Sequence, residues 1–359
     1  MENINSKNND KYKCIFINNT LNQNSNEFIQ SAKFILESSF LIFNNKKITK
    51  YNYSYNSSST SLDLISKDKE YTEKDYIYDY DIISNQNDSN TILCICSKDN
   101  PIRILNSKLS LIKSFTLENK QKESYLSSIF IRYEPFGLTI YTGKNFLTKI
   151  DLIKQKEINT IYNKYFNFLS CFDFDVKYSC YFLGSYSNNL IICDYKTDKI
   201  INSYKQEKPV NQIKILKSKD YQMIVGYRNS DYICLFDIRK MDKNIHKMGR
   251  NAKGTKKINF IFDDKECNLY TGTDNGKLVR FYNFDENNII NKEEIDIGVN
   301  DYITSIDLNN DKNLLIVTNG ENYFDEKFNS LININDSEEE YDNCELNYLN
   351  SQFQIYKII

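Results

Sequence analysis

Few residues in this chain are arranged for covalent chemistry. The run "GTDNGK", Gly272–Lys277, has the outline of a phosphate loop. It is one residue short of that motif and lacks the hydroxyl residue after the lysine. It also falls between two strand-like runs rather than before a helix, so it reads as a turn. Cys94 and Cys96 sit two apart in an apolar run with no second pair nearby. Zinc needs convergent ligands, so both read as buried strand thiols. His246 is the single histidine and has no serine or cysteine nucleophile motif beside it. A triad is unsupported, and it reads as a loop or surface residue. The expectation is a non-enzyme with no metal site and no cofactor.

Charge is more informative. The formal net charge of −2 hides a basic sector over residues 201–260 and an acidic one after it. Arg228, Arg239, Lys240, Arg250, Lys253, Lys256 and Lys257 interleave with Tyr227, Tyr232 and Phe236. Cations for phosphate beside planar rings for unstacked bases suit single-stranded nucleic acid. The bland alternative is a solvated basic face over core aromatics. The acidic run Asn335–Asn343 reads as a solvated loop, in which Ser337, followed by three glutamates, is a candidate phosphosite.

These residues must be carried by something regular. Short apolar runs recur in pairs: "TILCICS" then "IRILN", "CYFLGS" then "LIICD", "MIVGY" then "ICLFD", "NLYTG" then "VRFYN". They are β-rich and too short for helices. The second runs close at Asn106, Asp151, Asp194, Asp237 and Asn283. That period, about 40–45 residues, is the signature of WD-type propeller blades. The expected fold is all-β, a seven-bladed WD40-type propeller over residues 26–359, after a polar tail at 1–25. Its units are Ser31–Tyr53, Tyr76–Leu117, Tyr125–Ile161, Phe168–Tyr204, Val210–Met248, Lys256–Ile295, and Tyr302–Val317 closed by Phe353–Ile359. A flexible loop is expected at about 54–70 and an acidic insertion at about 325–350.

The usual blade marks are eroded. There is no Trp and no Gly-His dipeptide, so His–Ser–Asp–Trp networks must be missing. Packing of aliphatic and aromatic side chains is expected to replace them. Gly184, Gly226 and Gly272 read as places needing backbone freedom, and Gly276 as a tight turn. The nine scattered cysteines read as free thiols of a reducing compartment. The polar amino terminus and short apolar runs point to no signal peptide and no membrane helix.

Several stretches resemble one family. In Asp75–Leu117, Ile77-Tyr78-Asp79-Tyr80 and Asp99-Asn100-Pro101-Ile102 match a blade of the telomerase Cajal body protein 1 family in order and spacing. "GYRNSDYICLFDIRK" is similar to that family's Gly-Ala-Arg-Lys-Asp…Cys-Trp-Asp-Leu-Arg, at Gly226, Arg228, Asp231, Asp237 and Arg239, with Phe236 where the family has Trp. Gly249, Arg250, Lys257, Ile258 and Phe260 continue the likeness, as do Gly272 and Gly276.

The resemblance implies a non-catalytic WD-repeat protein that reads the terminal-loop, CAB-type element of H/ACA small Cajal-body RNAs or telomerase RNA. It further implies H/ACA ribonucleoprotein or telomerase proteins as partners, a chaperonin during folding, and a nuclear location in Cajal bodies or their equivalent, with some cytoplasmic protein; the closed ring itself points to a monomer within a larger particle, and the short apolar runs to no membrane. The candidate RNA-binding residues are Arg228, Arg239, Arg250, Lys256 and Lys257. The alternative is a protein–protein scaffold propeller in RNA-particle assembly without RNA contact.

Overall fold

The computed structural model describes residues 15–17, 28–36, 38–56, 61–83, 91–97, 101–115, 131–134, 137–140, 146–151, 156–162, 169–175, 177–253, 258–284, 290–298, 301–309, 313–320 and 352–357. All regular structure among them is β. The chain begins with β1 (Ile15–Ile17). One sheet follows from β2 (Ile29–Leu36), β3 (Ser39–Asn44), β4 (Lys47–Asn56) and β5 (Ser61–Thr72). A second comes from β6 (Ile77–Ile83), β7 (Ile92–Ser97), β8 (Ile102–Asn106) and β9 (Leu111–Phe115). Then come β10 (Ile131–Glu134), β11 (Gly137–Ile140), β12 (Phe146–Asp151) and β13 (Lys156–Tyr162).

The next sheet is β14 (Leu169–Asp175), β15 (Cys180–Ser185), β16 (Asn189–Asp194) and β17 (Ile200–Lys205). Its neighbour is β18 (Val210–Ile215), β19 (Gln222–Tyr227), β20 (Tyr232–Asp237) and β21 (Asn244–Gly249). After these stand β22 (Phe260–Asp263), β23 (Asn268–Gly272), β24 (Lys277–Tyr282) and β25 (Asn291–Asp296). The last sheet combines β26 (Ile303–Asn309) and β27 (Leu314–Asn319) with β28 (Gln352–Lys357), and β1 lies outside β28.

The sheets form a ring, a β-propeller. Six of them are complete four-stranded antiparallel blades, not the expected seven. Where the third unit was expected, β10–β11 and β12–β13 form separate two-stranded ladders. The residues between β11 and β12 lie outside the described ones. Two other boundaries shift. The expected loop at 54–70 is largely the 12-residue outer strand β5, polar because its outer face meets solvent. The expected amino-terminal tail contributes β1, which pairs Phe16 with Tyr356. The acidic insertion at 325–350 lies outside the described residues.

Each blade buries one face against the next. Phe43 and Ile48 pack with Ile77 and Ile95; Phe182 and Leu190 with Val210 and Val225; Ile224 and Ile233 with Phe260 and Val279. The ring closes where Phe40 and Tyr51 meet Ile316 and Phe353. Five of the described cysteines are buried in this core as free thiols, Cys94 and Cys96 on β7 among them. His246 is not in a loop; it lies half-buried on β21 opposite Leu235.

Apolar packing is not alone in joining the blades. The inner strands β2, β6, β14, β18 and β26 each carry a register shift at the same place, after Ile29, Ile77, Leu169, Val210 and Ile303. An extra residue turns its side chain out of the ladder. Two of these residues then reach the next blade: Ser170 Oγ donates to Val210 O (2.5 Å), and Thr304 Oγ1 to Ile29 O (3.4 Å). Three residues further on, Asp173 Oδ2 accepts the Ile215 N–H and Asp307 Oδ2 the Phe34 N–H, both at 2.7 Å. Gln212 holds both main-chain groups of Phe260. A repeated set of polar clasps thus replaces the missing networks.

Gly184, Gly226 and Gly272 serve the same seams, and not through backbone freedom as expected. A Cβ on Gly184 would lie 2.5 Å from Val210 Cγ1, one on Gly226 2.9 Å from Phe260, and one on Gly272 2.5 Å from Ile303 Cβ. Only Gly276 behaves as read, at φ 76° in its turn.

Asp307 gives a pH test of the closing seam. Burial pushes its carboxyl up to about 6, against the opposing pull of Lys33. The ordinary value is about 4, so the folded protein takes up this proton before the unfolded chain does. The group's contribution to stability is therefore full below pH ~4 and is lost as pH rises through 6. Asp307→Asn keeps an acceptor for Phe34 and has no charge to bury. Between pH 4.5 and 7.5, wild type should lose about 2 kcal/mol relative to the variant in urea unfolding.

Candidate binding face and interblade groove

Turns between strands place the candidate side chains. The Arg228–Asp231 turn joins β19 to β20, with Asn229 at φ 52° and Ser230 Oγ accepting the Tyr232 N–H. Arg228 donates its N–H to Pro209 O (2.8 Å), and Lys208 Nζ donates to Asn229 O (2.6 Å). These bonds tie the turn to the connection entering the blade. The exposed Arg228 guanidinium lies 5.4 Å from the ring centroid of Tyr186. Tyr186 occupies the matching turn of the preceding blade and is 38% exposed. Lys205 Nζ reaches Ser187 O in that turn. One face of the ring therefore offers an exposed aromatic ring among three cationic side chains.

Arg239 is elsewhere. It follows β20 whereas Arg228 precedes it, and six strand residues span about 20 Å. Arg239 therefore sits on the opposite face. Its Nε and Nη2 hold the Asp237 carboxylate at 3.0 and 2.7 Å. Its guanidinium lies 4.2 Å from the Tyr221 ring centroid. The pairing holds the Asp237 carboxyl below the usual carboxylate range. Beside it, Lys177 pairs with Asp220 at 2.9 Å over the Tyr178 and Tyr221 rings. The cations of this cluster are neutralised locally.

Arg250 is not on a surface at all. It is 2% exposed and bonds Ile258 O (3.2 Å) and Thr271 Oγ1 (2.5 Å) in the next blade. Burial lowers its pKa to about 10. Arg250 is a seam residue, which corrects its assignment to an RNA-binding face. Lys256, Lys257 and Ser337 lie outside the described residues. The proposed set thus does not converge: Arg228 and Arg239 face opposite ways, and Arg250 is interior.

The phosphate-loop-like run is a strand turn. Thr273 Oγ1 accepts the Lys277 N–H (2.8 Å) and donates within the turn, so the hydroxyl is already used.

A groove of about 570 Å³ opens on the rim between the blade of β14–β17 and that of β18–β21. Its floor includes the buried Cys234, Phe236 and Met241. At its mouth Tyr232 donates to Glu207 Oε2 (2.7 Å), and Lys247 Nζ stands 3.9 Å from the Tyr232 ring centroid. These two partners, Tyr232 first, hold the Glu207 carboxyl below its usual range. The groove and Tyr186 were missed in the sequence. Tyr186 had a readable signal: it stands two residues after Gly184, as Arg228 does after Gly226.

No protein-family model matches the chain, and no curated protein sequence matches it significantly.

Proposed function

We propose that this chain is a non-catalytic propeller that binds a single-stranded RNA loop on the face carrying Tyr186 and Arg228. The supporting observation is the exposed Tyr186 ring beside the Arg228 guanidinium, with Lys205 and Lys208 on the same face. An unstacked base would lie on the ring, and the cations would meet flanking phosphates. The resemblance supplies the RNA class: the terminal-loop, CAB-type element of H/ACA small Cajal-body RNAs or telomerase RNA, in a nuclear particle. Arg239, on the other face and engaged by Asp237, is not part of this reading.

The test is anisotropy of a labelled RNA hairpin with a single-stranded terminal loop. Arg228→Glu with Lys208→Glu should weaken binding at least about tenfold and flatten the salt slope by about 1.4. Arg239→Glu should change it less than about twofold. Equal loss in both variants would contradict the assigned face.

A second reading, a protein scaffold in RNA-particle assembly, is favoured by Leu111 and Ile112. They are 49% and 55% exposed side by side on the edge strand β9. It predicts protein partners that survive nuclease and high salt.

A further inference from the structure

The rim groove lies beside an outer strand with fewer charges than two others on the ring's edge. The outer strands β5 and β25 carry Lys67-Asp68-Lys69-Glu70 and Lys292-Glu293-Glu294, charges that discourage strand addition. The outer strand β17 reads Ile-Ile-Asn-Ser-Tyr-Lys, with Ile201 57% exposed. β17 is the last strand of its sheet. Gln206 N–H bonds back to Asn188 O. By alternation, the backbone groups of Tyr204 also face β16, and those of Ser203 and Lys205 point away from it; the Ser203 N–H is taken up by Asn202 Oδ1 at 2.8 Å, which leaves the Ser203 carbonyl and the groups of Lys205 to the open edge. Ser203 and Lys205 line the groove together with Tyr204 and Gln206.

The opposite wall belongs to the next blade. Cys234 and Phe236 make an apolar floor, and Lys243 and Lys247 stand at the mouth. Lys243 is exposed and has no ion-pair or hydrogen-bond partner among the described residues. Its volume is in the ordinary range for a ligand cleft.

We infer that this groove binds an extended peptide, which adds as a strand to the free edge of β17 and sets an acidic side chain against Lys243. The main chain would bond the Ser203 carbonyl and the N–H and carbonyl of Lys205, and alternate apolar side chains would enter toward Phe236 and Cys234. An acidic residue one step along would reach Lys243, since Lys247 is already paired with Glu207 at 3.3 Å. Arg228 and Tyr186 do not line the groove, and the one shared residue, Lys205, offers its main chain here and its side chain to the RNA face.

The experiment pans a random 12-residue peptide library against the full chain and measures affinities of enriched peptides. Lys205→Pro removes an outward N–H at a position where an edge strand tolerates proline. Lys243→Glu with Lys247→Glu leaves the backbone edge intact and covers the case in which the proline variant misfolds. Enriched peptides should carry Asp or Glu among β-branched or aromatic residues, and should lose at least about tenfold in affinity on either folded variant. No enrichment, a basic consensus, or affinities unchanged in the folded variants would overturn the inference. So would protection of Lys243 and Lys247 from amine labelling by oligo-U RNA but not by the peptides.

Discussion

Gly272→Val should cost roughly 3 kcal/mol or more of unfolding free energy, the largest effect of any substitution considered for this ring. Its new Cβ would sit 2.5 Å from Ile303 Cβ and Cγ2 and 3.1 Å from the Ile303 carbonyl oxygen. A side chain can rotate away; a main-chain carbonyl on the next blade's inner strand cannot. The blades must separate or β23 must bend. Because close approach is the cause, relief should come from the other side of the seam. Gly272→Ala combined with Ile303→Gly, which removes both Cβ and Cγ2, should be less destabilised than the sum of the two single changes. Gly249→Ala is the control, since nothing lies within 4 Å of its would-be Cβ. It should shift stability by less than about 0.5 kcal/mol. Urea unfolding checks all five variants, and additive effects at 272 and 303 would remove the close-packing explanation.

Arg250→Ala should cost on the order of 2–4 kcal/mol and leave RNA affinity per folded molecule unchanged. The guanidinium joins the end of one blade to Ile258 O and Thr271 Oγ1 of the next. Truncation leaves those acceptors buried without their donor and opens a gap between blades. Both bonds leave one nitrogen, Nη1, yet lysine is a poor substitute, because its compact ammonium is more strongly hydrated and costs more to bury. Arg250→Lys should therefore recover little. Paired urea unfolding and hairpin-RNA anisotropy separate the two roles. Weakened RNA binding without lost stability would return Arg250 to the RNA-binding set.

The strand pattern was open to reading because it rests on local rules. Apolar runs of five to seven residues gave β7, β15, β19, β23 and β27. The closing polar residues also had a local cause. Asn106 Oδ1 accepts the N–H groups of Lys108 and Ser110, Asp194 that of Thr197, and Asp237 that of Arg239. Each caps its own turn, so the period survives without tryptophan.

What was not legible is what happens between repeats. Nothing local marks Asp173 or Asp307 as partners of Ile215 and Phe34, 42 and 273 residues away. The seam glycines looked like turn glycines because the chain they accommodate is in the next blade. Arg228, Arg239 and Arg250 looked like one basic sector because they are close in sequence. One six-residue strand separates the first two by the thickness of the ring, and the third turns inward.

The most direct measurement cross-links the tagged protein in its own cells, purifies it stringently, and identifies both the bound RNA and the cross-linked peptides. The account predicts H/ACA-type or telomerase RNAs, cross-linked in a terminal loop, to peptides containing Tyr186 or Arg228. Background RNA alone, or cross-links centred on Tyr221 and Arg239, would contradict it.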